Sequence, residues 1–395
     1  MNITCISTGL FPDTHASAIR QSTLAKGLTE QGHNVRFLVL NPQNWEEKKI
    51  INYFNVQFQD LNNYKGTNKV LRHYYYIRAI NKAKKIIERQ VKKDNIDALI
   101  IFSFWIQYAL PLYFLVRKAH ELKIKIFHEI TELPYVFDEN KTWLNFYLKK
   151  LLPNFDGVFI ISDKLKEYVQ QFNKSTKKLL TVVDLLFFNT TKVSPYPFPY
   201  VGYCGTNTGN KDGIPILIEA FANIENRFPH LKLVIVGNNS NKEAIKQTND
   251  ALTKFNLAEK VIFTGQIPRD LMPAILCNAE ILVVSKPGNE QNSGNFPIKI
   301  GEYLATGVPV VLTSVGEIPL FVEDGISGYL AEPGSAESFA KKMGEALGNP
   351  ILAKVIGQAG KKVAETTFDY KIQSGVMAEY IATKINIGIL KKIVK

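Results

Sequence analysis

Only three cysteines occur in 395 residues, Cys5, Cys204 and Cys277, and none is spaced as a C-x-x-C pair. That scarcity argues against a disulfide framework or a zinc knuckle and favours buried thiols in a reducing compartment. Long apolar runs are also missing: the longest, near Phe102 to Val116, is interrupted by Gln107 and Pro111, too short for a spanning helix. The opening MNITCISTG has neither a basic stretch nor a long apolar core, so a secretory leader is not expected. A cytoplasmic protein, free or resting on the inner face of a membrane, is the expectation. No G-x-G-x-x-G follows the first strand and no loop ends in G-K-[ST], which counts against a dinucleotide fingerprint and a Walker site. No Asp-x-Asp triplet stands at a strand end, so no metal site and no cofactor are expected.

What is present is a large apolar fraction, 46% hydrophobic against 21% charged, enough for two domains of ordinary size. The net charge of +12 is uneven. Residues 1–190 carry 27 Lys and Arg against 17 Asp and Glu, residues 191–370 carry 16 against 18, and residues 371–395 carry 5 against 1. A basic first half suits an anionic partner such as a phospholipid surface, a phosphorylated acceptor or nucleic acid. Plain solubility accounts for it equally well.

Along the chain, Ile3 to Thr8 reads as a buried strand, followed by Gly9, a loop through Pro12 and Asp13, and a helix from Ala16 to Gln31 closed by Gly32. Val35 to Leu40 is the second strand of this doubly wound opening. Residues 41–68 have little period and read as a loop-rich excursion. Lys69 to Lys93 is a basic amphipathic helix with Val70, Leu71, Tyr74, Ile77, Ile80, Ala83, Ile87 and Val91 on its apolar face, which reads first as a core-packed helix and second as one touching a membrane. Strands follow at Ala98 to Phe102, Ile124 to Phe127, Asp156 to Ser162 and Lys178 to Asp184. The second of these delivers His128 to a strand end, where it is either a capped loop histidine or a catalytic one.

The proline-rich SPYPFP around Thr190 to Pro199 predicts a hinge. A second α/β cycle then begins with a strand at Tyr200 to Tyr203, a loop Gly205-Thr206-Asn207-Thr208-Gly209-Asn210-Lys211-Asp212-Gly213 and a helix from Ile214. Such a glycine-rich loop can cradle a diphosphate through backbone N–H groups and one lysine. Strands at Leu233 to Val236, Val261 to Thr264 and Ile281 to Val284 run into small or polar residues, Gly237-Asn238-Asn239, Gly265 and Ser285. From Asn292 to Gly328 come a loop, a helix over Pro297 to Thr306 carrying Lys299 and Glu302 on one side, a strand at Val308 to Leu312, and the loop Thr313-Ser314-Val315-Gly316. Ligands of open α/β sheets sit at such carboxyl ends. The tail from Thr367 to Lys395 reads as a helix with Ile372, Val376, Tyr380 and Ile381 inward.

The succession YVGYCGTNTGNKDGIPILIEAF, LKLVIVGN, VIFTGQIP, AEILVVSKPGN and FPIKIGEYLATGVPVVLTSVGEIPLFVEDGISGYL resembles the donor half of glycosyltransferase family 4, and HASAIRQSTLAKGLTEQGHNV resembles that family's opening loop and helix. The resemblance implies an α/β chain of the GT-B fold: two Rossmann-like domains facing across a cleft, with the C-terminal helix returning to the first. Residues 1–190 with 371–395 would bind the acceptor, and residues 191–370 the nucleotide-sugar donor. It further implies sugar transfer with retention at the anomeric carbon, without metal, onto a glycan or lipid-linked acceptor of surface polysaccharide or glycolipid synthesis, and no nucleic-acid partner.

Under that resemblance Glu302 matches the second glutamate of the family's Glu-x7-Glu motif, which holds ribose hydroxyls. Lys211 matches the lysine that neutralises the departing diphosphate, and His128 a histidine near the reacting sugar. Gly205, Thr206, Asn238, Lys299, Ser314 and Val315 complete the implied donor site, and Gly9, Ala16, Ser17, Gly294 and Asn295 the loops near sugar and acceptor. The chain departs from the pattern in having Gly294 where the first glutamate belongs, Thr206 where an arginine follows Gly205, and Ala16-Ser17 in place of a glycine pair. A Pro297-x-Lys299-x-x-Glu302-Tyr303 pattern, shared with a subgroup, could return part of the missing positive charge through Lys299. A non-catalytic nucleotide- or glycan-binding module and a sugar-nucleotide epimerase are the alternatives.

Overall fold

The computed structural model describes residues 1–393 apart from 13–14, 44, 46–48, 94, 103, 137–140, 190–192, 208, 210 and 239–240. Asp13, Thr190, Thr208, Asn210, Asn239 and Lys395, which take part in the loops, hinge and tail read above, lie outside the described residues. The chain divides into two compact units, Met1–Val182 with Tyr370–Lys395, and Val183–Asp369.

Among the described residues eight strands form the first sheet: β1 (Asn2–Ser7), β2 (Asn34–Val39), β3 (Ile50–Tyr53), β4 (Val56–Asp60), β5 (Ala98–Ile101), β6 (Lys125–Ile130), β7 (Gly157–Ile160) and β8 (Thr176–Lys178). They lie in the order β3-β4-β2-β1-β5-β6-β7-β8, all parallel except the β3–β4 pair. The central strands are apolar on both faces, as a parallel sheet covered by helices requires; Phe11, Phe37, Phe58 and Phe102 join their core through rings 4.8–5.7 Å apart. Residues 41–68 are therefore more than a loop. Ile50, Asn52 and Gln57 make a short β3–β4 hairpin whose turn places Phe54 and Asn55 at positive φ, a pairing that a four-residue strand with mixed polarity does not announce.

The second sheet contains β9 (Tyr200–Cys204), β10 (Lys232–Val236), β11 (Val261–Gly265), β12 (Ile281–Val284), β13 (Val310–Thr313) and β14 (Tyr329–Ala331). Its order is β11-β10-β9-β12-β13-β14, fully parallel. Numbered within the unit this is 3-2-1-4-5-6, the Rossmann order, whose switch point falls between β9 and β12. Val201, Leu233, Ile281 and Val311 meet Leu217, Phe221, Phe339 and Met343 in one core.

The last helix, Tyr370–Ile393, packs on the helix Ala16–Glu30 of the first unit. Their approach is close enough that a Cβ at Gly27 would lie 2.7 Å from Ser374 Cβ, and Ser374 Oγ donates to Leu24 O at 3.1 Å. Tyr370, Ser374, Met377, Ala378 and Ile381 form its buried stripe, whereas Ile372 is exposed. The crossing into the second unit comes at Val183, ahead of the proline-rich segment. Only Thr176–Lys178 forms the last strand of the first unit. The short helix Leu185–Phe188 already belongs with the second unit, Phe188 O accepting from Cys277 Sγ at 3.4 Å.

Candidate functional site

The loops that follow β9, β10 and β11 are bound to one another through backbone. Gly205 N donates to Val236 O at 2.8 Å, Asn207 N to Asn238 O at 2.9 Å and Gly237 N to Gly265 O at 2.9 Å. Gly237 has φ of 127°, and a Cβ there would run into Gly205 O, so only glycine lets these two turns approach. Gly213, at φ 69°, sits equally hard against Ser285 O, whose side chain donates to Gly213 O at 3.0 Å. Sequence reasoning named this rim as a diphosphate loop, and the structure gathers it at the carboxyl ends of the strands.

Lys299 enters that rim from the helix Ile298–Thr306. Its Nζ lies against Gly205, in the space a Cβ would need, donates to Tyr203 Oη at 2.9 Å, and stands 3.8 Å from Asp212 Oδ1 and 4.3 Å above the Tyr203 ring. Tyr203 Oη in turn donates to Asp212 Oδ1 at 3.4 Å. Burial lowers the ammonium's pKa, the Asp212 carboxylate opposes that, and Lys211 lowers it further. A cation held this way is desolvated and aimed, with 16% of its side chain still open. Pro297 is the residue before the helix, with ψ of 134°, and not its first turn.

One turn on from Lys299, Glu302 Oε1 accepts from Arg269 Nη2 at 2.5 Å, and the Arg269 guanidinium lies 4.4 Å over the Phe187 ring. Tyr303 Oη takes the Cys204 N–H at 2.5 Å, pinning the end of β9 to the same helix. Burial, with Glu302 nearby, pushes the Cys204 thiol up to about 12, so it stays a neutral thiol at physiological pH. Arg269 was not foreseen; its signal is a charged residue in the loop after a strand whose neighbours all end in small ones.

Lys286 was also missed. It is buried, donates from Nζ to Asn292 Oδ1 at 2.7 Å, and lies 3.5 Å from Lys211 O, to which Asn292 Nδ2 donates at 2.9 Å. This tie brings Lys211 and the Asn292–Asn295 loop together. Gly316, at φ 57°, closes the same group, since a Cβ there would meet Asn292 O at 3.0 Å. Ser314 is exposed and Val315 buried beside it, while Thr206 and Asn238 are exposed at the rim. Gly294 has φ of −100°, a backbone any residue adopts. Next to it, Asn295 Oδ1 is buried with no hydrogen-bond partner among the described residues.

In the first unit, Gly9 is buried after β1, its N–H donating to Ser7 Oγ at 2.9 Å and its carbonyl accepting from Gln43 Nε2 at 3.0 Å. Ala16 and Ser17 open an exposed helix start. The placement of His128 at a strand end is corrected. β6 continues to Ile130, so His128 sits within the strand, paired in register with Ile101 and Val158. Its Nδ1 lies 2.6 Å from Ile101 O and its Nε2 3.0 Å from Tyr147 Oη, and its ring stacks at 4.9 Å on Phe155. The carbonyl requires the Nδ1–H tautomer, leaving Nε2 to accept from the tyrosine. Burial lowers its pKa to about 4. Both nitrogens are thus committed inside the core, which does not fit a group that meets a sugar.

Among the described residues no three His, Cys, Asp or Glu side chains cluster as a metal site would need, and no helix is long and apolar enough to cross a membrane. The family model described as glycosyl transferases group 1 matches residues 198–349. The chain is 27% identical, over 44% of its length and 45% of the relative's, to a GDP-mannose-dependent alpha-(1-6)-phosphatidylinositol monomannoside mannosyltransferase of Mycolicibacterium smegmatis; that match spans less than half of the relative. It is 23% identical, over 96% of its length and 95% of the other's, to the N-acetyl-alpha-D-glucosaminyl L-malate synthase of Bacillus anthracis. In structure it is similar to the sucrose-phosphate synthase of Thermosynechococcus elongatus, with a TM-score of 0.74 at 18% identity over 97% of this chain and 98% of that one. Anabaena HepE in complex with UDP-glucose gives 0.72 at 16% identity over 97% and 100%.

Proposed function

We propose that this chain, which belongs to the group 1 glycosyltransferases of the GT-B fold, is a retaining enzyme that moves a sugar from a nucleotide-sugar donor to a glycan or lipid-linked acceptor. The observation that carries this reading is Lys299 Nζ seated against Gly205 at the head of the glycine-rich loop, one helical turn from Glu302. A fixed cation at that point suits the diphosphate that gains charge as the glycosidic bond breaks, and a carboxylate beside it suits a vicinal ribose diol. Lys299 then takes over the charge of the arginine that the family resemblance leads one to expect after Gly205. Lys211 supplies a second cation from the loop that Lys286 and Asn292 hold in place. The orphaned Asn295 Oδ1 is an acceptor for a sugar hydroxyl.

In this scheme no protein base is assigned: leaving-group stabilisation by Lys211 and Lys299 carries the chemistry, without a metal. The similarity to a HepE complex holding UDP-glucose makes UDP- and GDP-sugars the first donors to try. A thermal-shift panel of sugar nucleotides identifies the donor, since a ligand bound only by the native state raises its stability. Proton NMR of the first-formed product then reads the anomer; inversion would reject retention, and no stabilisation by any sugar nucleotide would reject the donor assignment.

A further inference from the structure

Three residues expected in the core of the helix Lys69–Lys93 lie outside it. Val70 is 77% and Tyr74 57% exposed, Leu71 is exposed with them, and the buried stripe begins only at Tyr76. Beside them starts a second helix, Ala109–Glu121, after Trp105 and the turn Ile106–Tyr108. The two starts are neighbours: the His73 ring lies 4.8 Å from Tyr108, and Tyr76 lies 3.8 Å from Tyr108 and 5.4 Å from Trp105. Trp105, Leu110 and Phe114 are exposed too, the last two one helical turn apart. Among the described residues this is an exposed apolar and aromatic surface.

Its charge is of one sign. From residue 61 to 87 there are seven Lys and Arg and no Asp or Glu, and no acidic residue occurs from 98 to 120. Lys65, Lys69, Arg72 and Arg78 are exposed around the apolar residues. An aromatic and aliphatic tip ringed by cations matches the interface of a bilayer bearing anionic headgroups, where apolar side chains enter the acyl boundary and lysines and arginines meet phosphates. A protein partner's interface would call for charges of both signs or fewer of them at its centre.

We infer that the adjoining starts of the helices Lys69–Lys93 and Ala109–Glu121 dock this chain on an anionic lipid surface, through Val70, Leu71, Tyr74, Trp105, Leu110 and Phe114. The inference rests on the proposed lipid-linked acceptor only for its purpose. Docking brings the first unit to an acceptor that cannot leave the bilayer, and the nucleotide-binding loops of the second unit take no part in it.

Co-sedimentation of the full chain with vesicles of phosphatidylcholine, with and without phosphatidylglycerol, tests it. Binding to the anionic vesicles alone, weakening as salt rises, is expected. Val70→Ser/Leu71→Ser/Tyr74→Ser should abolish most of it, and Lys69→Gln/Arg72→Gln should weaken it about tenfold to thirtyfold, at roughly 1 kcal/mol per cation. All five positions are exposed, and unchanged melting temperatures and unchanged nucleoside diphosphate binding should accompany the losses. Equal binding to neutral vesicles, no binding at low salt, or wild-type binding by both variants overturns the inference. So does a dimer, seen by sedimentation velocity, that the triple variant dissolves while vesicles never bind, which would assign the face to a second copy. Sugar transfer to any acceptor in the absence of vesicle binding would leave the proposed function standing and reject the docking alone.

Discussion

Arg269 Nη2 holds Glu302 Oε1 at 2.5 Å from a guanidinium whose Cζ lies 4.4 Å from the centroid of the Phe187 ring. One carboxylate oxygen is thereby engaged, which makes Arg269 a positioning residue for the glutamate proposed to hold the ribose. Glu302→Gln should weaken nucleoside diphosphate binding by about 1.5–3 kcal/mol. Arg269→Gln should weaken it as well, and the double variant should lose less than the sum because the two act as a unit. Calorimetry with ribose and 2′-deoxyribose forms of UDP and GDP separates aim from bulk: both variants should discriminate less between the two sugars than wild type does. An equal loss for both forms would mean that Arg269 only supports the fold.

Lys299 is tied to Asp212 as well as to the loop, so its removal takes one favourable charge away from a buried carboxylate. Lys299→Met should lower the melting temperature and also cut nucleoside diphosphate affinity, by one to two orders of magnitude at about 1.5–3 kcal/mol for a charged hydrogen bond. Adding Asp212→Asn should restore stability but not affinity. Affinity that returns together with stability would show Lys299 to be structural.

For Lys211 the expected signature is kinetic. Its contact should strengthen as the diphosphate departs, so Lys211→Ala should reduce kcat more than it raises KM for the donor. In the proposed scheme side-chain cations meet the diphosphate, so turnover should also survive EDTA; a loss restored by Mg²⁺ or Mn²⁺ would contradict it.

His128 contributes to pH stability. Its pKa is about 4 in the folded chain against an ordinary value of 6.5, so the unfolded chain takes up the proton first as pH falls. The stabilisation is complete above pH 6.5 and is lost on descending toward pH 4, at most about 3 kcal/mol. Urea melts across that range should show the slope, and His128→Asn should flatten it while leaving nucleoside diphosphate affinity unchanged. A slope unaffected by the substitution would place the titrating group elsewhere.

The parallel strands were legible because their residues are apolar on both faces, and the strand Ile281 to Val284 was read residue for residue. The loops were legible because glycines and small polar residues follow each strand, and Gly205, Gly213 and Gly237 do sit where bulk cannot. Periodicity misled at the start of the helix Lys69–Lys93: Val70, Leu71 and Tyr74 keep its apolar spacing but are exposed among the described residues. His128 misled because a polar residue ending an apolar run looks like a strand end, while the partners that bury it, Ile101 O and Tyr147 Oη, are 27 and 19 residues away. Arg269 and Lys286 escaped for the same reason: Arg269 meets Glu302 across 33 residues, and Lys286 Nζ meets Lys211 O across 75.

Chromatographic measurement of nucleoside diphosphate released from a panel of sugar nucleotides, by wild type and Lys299→Met side by side, bears most directly on the assignment of this chain as a transferase. Most transferases slowly release nucleotide even without acceptor, so wild type should consume one donor class slowly, with the variant reduced at least about tenfold, as loss of one charged contact in the transition state implies. Wild type that binds a nucleoside diphosphate yet releases none from any sugar nucleotide, with or without a membrane extract as acceptor, would make the second unit a binding module and not a catalyst.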